Sequence, residues 1–407
     1  MRTPIFARTV TLHSLGWLTA ANVVGVWLGV ALLWPAAGDV IAPFTWGRWA
    51  PLHMNWHLYG WCSLPLVGAL LRWCFEPAAD AAGRDARRVL GAWSAALALG
   101  GIAWLAGNVS GKLFLDWHGW TRPLLPLAMV WLWVLLAGHT RARWRNFTPL
   151  GRALRVGVLA LLAAVPAVLF WSSGRAVYQP INPDSGGATG AALLGSTLGV
   201  VTVFMLVPEF LGVMRGRRIW PWNVALGMSW LVFAAIDRGN VSHHVALHVV
   251  ALATLLAWIP LLPLFWTHQA WPAPALKWVR AAGVWWALLV GSGWLSYLPG
   301  ISEALKFTHA LVGHAHLAMA GLITSVNGAV LVTLTTRGAP RAVFWLWQGG
   351  CAVYVGAMML LGAGEVGHAG ELFRSEGWTQ VLLTVRLVGG VAMTAASLQW
   401  LVREVRR

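Results

Sequence analysis

Apolar stretches of about 20 residues recur from one end of the chain to the other, each long enough to cross the hydrocarbon core of a bilayer. No other feature restricts the fold as strongly. A backbone in lipid must satisfy its polar groups internally, and contiguous apolar runs of this length do so as helices. The spans read near 13–36, 51–74, 88–107, 121–140, 151–173, 188–214, 220–237, 243–266, 277–298, 305–336, 342–363 and 377–401. Periodicity adds little, because a lipid-facing helix is apolar all round; length and flanking charge set the boundaries. The expectation is an all-α integral membrane protein, one transmembrane domain over 1–407 with about 12 helices and no soluble domain or linker.

The formal charge of +16 would suit a nucleic-acid partner if it lay on one face. Instead the basic residues fall in the loops between spans. Alternate loops hold 20 and 7 of them, which predicts cytoplasmic termini at both ends and no nucleic acid as partner. The N-terminal segment lacks a small-residue cleavage signature, so the first span is expected to be retained, in a bacterial inner (plasma) membrane. The three cysteines, Cys62, Cys74 and Cys351, form no CxxC or CxxCH pattern. That excludes a disulfide framework, a thiolate zinc site and covalently attached heme. Many of the 30 tryptophans sit near span ends, where indole favours the membrane interface.

On this topology ten of the 13 histidines share the outer half or outer loops: His53, His57, His118, His243, His244, His248, His309, His314, His316 and His368. His13, His139 and His268 lie on the inner side. Ionisable groups inside a membrane are costly and point to function. In His314-Ala315-His316 the two imidazoles leave the helix about 200° apart, which suits two cofactors on opposite sides better than one chelated ion. Neutral imidazole is an axial ligand for heme iron. A pair of hydrogen-bonded structural histidines is the alternative that geometry leaves open. His53, just inside the second span, is placed to match His316 in depth, and two such histidines make a closed six-coordinate heme site suited to electron transfer. His57, four residues on, reads as an ordinary buried histidine or a donor behind the ligand.

Pro51-Leu52-His53-Met54-Asn55 resembles the second-span heme motif of heme-copper oxidase subunit I, closest to the cbb(3)-type cytochrome c oxidase. Thr308-His309-Ala310-Leu311-Val312-Gly313-His314-Ala315-His316-Leu317 resembles that family's tenth-span motif for two hemes, and Arg386-Leu387-Val388-Gly389-Gly390 is similar to a segment of its last span. The resemblance covers nearly the whole chain. It implies heme b at two sites, with His53 and His316 on a low-spin heme and His314 on a high-spin heme. It places Arg386, and His309 at a usually acidic position, in the propionate region. It further implies electron transfer in a respiratory chain, a c-type cytochrome as donor, and other respiratory subunits as partners.

The family's copper pattern is where the sequence departs. The sixth span has no histidine, the seventh ends Ala234-Ala235-Ile236-Asp237-Arg238, and the redox-active tyrosine expected near Ser229 is absent. Copper binding and enzymatic oxygen reduction are therefore open. His244 and His248, at i,i+4, could hold copper or zinc together with His243, or the three could be a hydrated polar cluster. Two other readings stand beside the electron-transfer subunit. One is an active terminal oxidase or nitric oxide reductase with a rearranged metal site; the other is a redox-inactive transporter or sensor on the same scaffold.

Overall fold

Helical segments occupy the places of all twelve apolar runs. The computed structural model describes residues 4–76, 79–215, 219–366 and 377–407, so Arg217, Arg218, Arg374 and His368 lie outside the described residues. We label the segments in chain order. α1 is Ala7–Leu33; α2 runs in three pieces, Trp46–Asn55, Trp56–Cys62 and Leu64–Cys74; α3 is Asp80–Leu105; α4 is Leu124–Ala142. α5 is Pro149–Ser172, α6 Gly190–Phe210, α7 Trp220–Ala235 and α8 Ala246–Thr267. α9 is Leu276–Leu295, α10 His309–Thr335, α11 Arg341–Glu365 and α12 Gly377–Val405.

Among the described residues, 9 of these are long and apolar enough to cross a membrane, and the protein is an integral membrane protein. α2, α7 and α9 are interrupted, shorter or less apolar. No strand forms among the described residues beyond one isolated bridge, Ile181 to Ala188. Contacts group the chain into two units. One is Met1–Tyr178 with Val330–Val343 and Thr394–Arg407; the other is Gln179–Ala329 with Phe344–Met393. His53 belongs to the first unit, and the other candidate ligands to the second.

Threonines fix several helix starts. Thr148, Thr189 and Thr308 each accept a backbone N–H of the first turn, from Gly151 at 3.1 Å, Ala192 at 3.2 Å and Ala310 at 3.2 Å. The Thr308 cap sets His309 as the first residue of α10 and so fixes the register of His314 and His316 behind it.

Tryptophan proves to be two populations. Trp34, Trp46, Trp144, Trp171 and Trp220 are exposed at or beside helix ends, as interface anchors would be. Trp61, Trp104, Trp117, Trp258, Trp278 and Trp286 are fully buried. Several indoles donate across to a neighbouring helix's carbonyl: Trp56 to Leu97 at 3.0 Å, Trp133 to Leu159 at 2.8 Å and Trp286 to Trp258 at 2.6 Å. In a bundle surrounded by lipid, such bonds and close packing hold helices together where water would supply no hydrophobic drive.

Candidate functional site

The three candidate heme ligands share one feature: each ring is held through Nδ1. The Nδ1 of His53 lies 2.9 Å from the carbonyl of Ala21 on α1. The Nδ1 of His316 lies 2.8 Å from the carbonyl of Val312, one turn back on its own helix. A carbonyl only accepts, so in both rings Nδ1 carries the proton and the lone pair sits on Nε2. The Nδ1 of His314 lies 3.1 Å from Ser292 Oγ on α9, and that hydroxyl already donates to Leu288 at 2.6 Å, so it accepts from the ring. This is the arrangement that fixes the tautomer and direction of a metal-ligating imidazole. Glycine makes room for it: a Cβ on Gly25 would stand 2.5 Å from Cε1 of His53, and one on Gly293 3.2 Å from Cε1 of His314.

Asn55, the last residue of the second-span motif, donates to the Pro51 carbonyl and to Asp116 Oδ2, both at 2.8 Å. Asp116 is buried in the loop after α3, which pushes its carboxyl up to about 6, with the Asn55 hydrogen bond opposing the rise.

Immediately beyond His53 and His316 the helices widen. Among the described residues, the two π-helical stretches are Trp56–Cys62, three residues after His53, and Leu317–Ile323, directly after His316. Their construction matches. Ser63 donates to the Leu58 carbonyl at 2.8 Å and Thr324 to that of Met319 at 3.1 Å, each reaching five residues back. An indole from a neighbouring helix takes a carbonyl inside each stretch, Trp93 on Tyr59 and Trp347 on Ala320, both at 2.8 Å. A glycine in each lies where a Cβ would meet a tryptophan side chain 2.6 Å away, Cβ of Trp17 for Gly60 and the indole of Trp285 for Gly321. Such bulges concentrate at functional sites because they re-aim side chains within an otherwise continuous helix.

His314 and His316 face different neighbours: His314 meets α9, and His316 meets α11. Tyr354 of α11 lies against the His316 ring, with centroids 4.6 Å apart. Its hydroxyl accepts from Arg386 Nε of α12 at 2.8 Å, and the Arg386 guanidinium lies over the same ring. Backbone contact sets this up. A Cβ on Gly389 would fall 2.7 Å from the Gly350 carbonyl oxygen and 3.0 Å from the Tyr354 nitrogen, so the motif's glycine lets α12 touch α11 where Arg386 meets Tyr354. Gly389→Val should part the two helices and cost about 1–3 kcal/mol by overpacking. The check is thermal unfolding in detergent by circular dichroism; an unchanged midpoint would mean the helices do not need this contact.

At the other end of α11, Glu365 accepts from the backbone N–H of His309 at 2.6 Å, and its second oxygen pairs with His309 Nδ1. His309 thus has a protein carboxylate as its partner here. Sequence reasoning missed Tyr354, Ser292 and Glu365. Two signals were available: Tyr354 is one of 4 tyrosines, and Glu365 is an acid at the end of an apolar run.

The expected His243, His244 and His248 set is redrawn. Helix α8 starts at Ala246, so His243 and His244 lie in the turn before it, and the helical i,i+4 relation between His244 and His248 does not apply. His243 and His244 instead meet Asp184 and Glu303; one Glu303 oxygen lies 2.8 Å and 2.9 Å from their Nε2 atoms. Desolvation would raise the Glu303 carboxyl, but its own backbone, the His243 ring beside it and hydrogen bonds from Gly300 and His244 outweigh it and hold the group at about 2. His248 is buried elsewhere, beside Gly190 and Tyr297, with neither ring nitrogen hydrogen-bonded. Neither α6 nor α7 carries a histidine, so the residues present do not fit a copper ion held in the family's pattern.

No family profile and no curated protein matches the sequence. Among solved structures, the chain is similar to a heme-copper terminal oxidase determined as a dimer by cryo-electron microscopy. The identity is 13%, the match covers 98% of this chain and 84% of that one, and the TM-score is 0.57. At that identity the likeness carries the fold alone: among the described residues the protein is a helical membrane bundle built like that oxidase.

Proposed function

We propose that the chain is a heme b-carrying membrane subunit, related to cytochrome c oxidase subunit I of the cbb(3) type, that passes electrons within a respiratory chain of a bacterial inner membrane. His53 and His316 would hold a low-spin heme, and His314 a second, high-spin heme. Arg386 and His309 serve the propionate region, and a c-type cytochrome is the donor, alongside other respiratory subunits.

The observation that carries this reading is the shared Nδ1 anchoring, which fixes the tautomer and direction of all three imidazoles as a metal-ligating ring requires. The donor set fits the group: neutral imidazoles on helices, with no thiolate and no covalent attachment motif. Heme, when bound, supplies a one-electron couple. The chain's own part is to hold and aim the rings, exclude water, and keep a cation, Arg386, within the bundle where an anionic group would need one.

A pyridine haemochrome assay with metal analysis on one purified sample tests the reading. We expect about two hemes b per chain and no stoichiometric copper, since iron carries the electron in each. Absence of heme b overturns it, and stoichiometric copper or non-heme iron would favour a catalytic oxidase or nitric oxide reductase.

A further inference from the structure

We propose that Asp184, His243, His244 and Glu303 form a binding site for one divalent transition-metal ion of the zinc class. The site uses none of the heme-site residues and does not depend on the functional reading above. It draws on three loops of the second unit: Asp184 from the segment before α6, His243 and His244 from the turn before α8, and Glu303 from the short helix Ile301–Leu305 before α10.

Ligand-capable atoms of Asp184, His243 and His244 all lie within 4.8 Å of one another. Two ligands about 2.0 Å from a tetrahedral ion stand roughly 3.3 Å apart, so the Glu303 oxygen, at 2.8 Å and 2.9 Å from the two Nε2 atoms, needs only a small outward shift to share an ion with them. The His243 side chain is fully buried, and its Nε2 makes no well-directed hydrogen bond even though Glu303 is so near. A buried imidazole nitrogen facing a carboxylate off the hydrogen-bonding direction is placed as two ligands of one ion are placed.

The surroundings hold the donors in position. Ser242 Oγ donates to Asp184, and the Asn182 amide lies 2.7 Å from His243 Nδ1, where, with an ion on Nε2, its oxygen would turn to accept the Nδ1 proton. Two imidazoles with two carboxylates select zinc-like ions over calcium or magnesium, which favour all-oxygen shells. Four protein donors leave no open position, so the ion's role is structural. It would tie together the starts of α6, α8 and α10, the last of which carries His309, His314 and His316.

The test uses the full chain in detergent, purified without a polyhistidine tag and stripped by a chelator. Zn²⁺ is titrated calorimetrically, and Co²⁺ serves as an optical probe of four-coordination. We expect one saturable equivalent in the wild type. Asp184→Asn and His244→Ala each alter an exposed side chain, so the fold should survive, with circular dichroism as the check; each should weaken Zn²⁺ binding at least tenfold, while His248→Ala changes it less than twofold. Three results would overturn the proposal: no saturable equivalent in the wild type, unchanged affinity in His244→Ala, or a loss in His248→Ala as large as in His244→Ala.

Discussion

His316→Ala abolishes the low-spin heme spectrum and lowers heme content from about two to about one per chain, with helix content unchanged. That expected result follows from what surrounds the residue. The His316 ring is half-buried, anchored to the Val312 carbonyl and flanked by Tyr354, so truncation removes a ligand without emptying a packed core. A closed six-coordinate iron cannot keep its spectrum with one imidazole gone. His53→Ala should give the same spectral loss, and that equivalence is the stronger part of the test, because the two residues come from different units of the chain. Tyr354→Phe separates ligation from support. It keeps the ring contact but removes the hydroxyl that accepts from Arg386, so both hemes should remain while the low-spin midpoint potential moves. If His316→Ala retains two hemes with an intact low-spin band, the axial assignment is wrong.

Much of the fold was legible in the sequence, because apolar runs of bilayer length leave the backbone one solution, and all twelve expected segments are helical. The divergence of the two histidines was legible for a similar reason: His314 and His316 stand two apart on a helix whose start Thr308 caps, and that spacing sends them to different neighbours. What lay hidden depends on distant pairings or on backbone forms without a sequence period. Nothing in Trp56–Cys62 or Leu317–Ile323 announces a π turn; the hydroxyl that caps each is the next residue along, but the indole that takes a carbonyl inside it comes from another helix. The His243 and His244 cluster was half seen. Helical spacing offered His248 as the third member, but a helix that starts two residues past His244 cannot use that spacing. The actual companions, Asp184 and Glu303, lie some 60 residues away on either side, beyond what local pattern can reach.

The second large effect is expected at His314, where ligand and support separate most cleanly. His314→Ala should remove the high-spin heme, leaving about one heme per chain with the low-spin spectrum intact, the converse of His316→Ala. Ser292→Ala should leave both hemes in place. The serine holds the ring through Nδ1, so its loss frees the imidazole to rotate and to exchange tautomers, and it weakens the ligand rather than deleting it. Heme affinity at that site should fall on the order of tenfold, read as faster heme loss to an apo-globin acceptor. The close approach of Gly293 to the same ring gives an independent handle. Gly293→Val presses a branched side chain toward Cε1 of His314 from a helix that cannot easily retreat, and should cost more than the serine change while leaving the low-spin heme untouched. If all three changes instead act equally on both hemes, the two sites are not separately held. His314 and His316 would then share one cofactor, against the 200° that separates residues two apart on a helix.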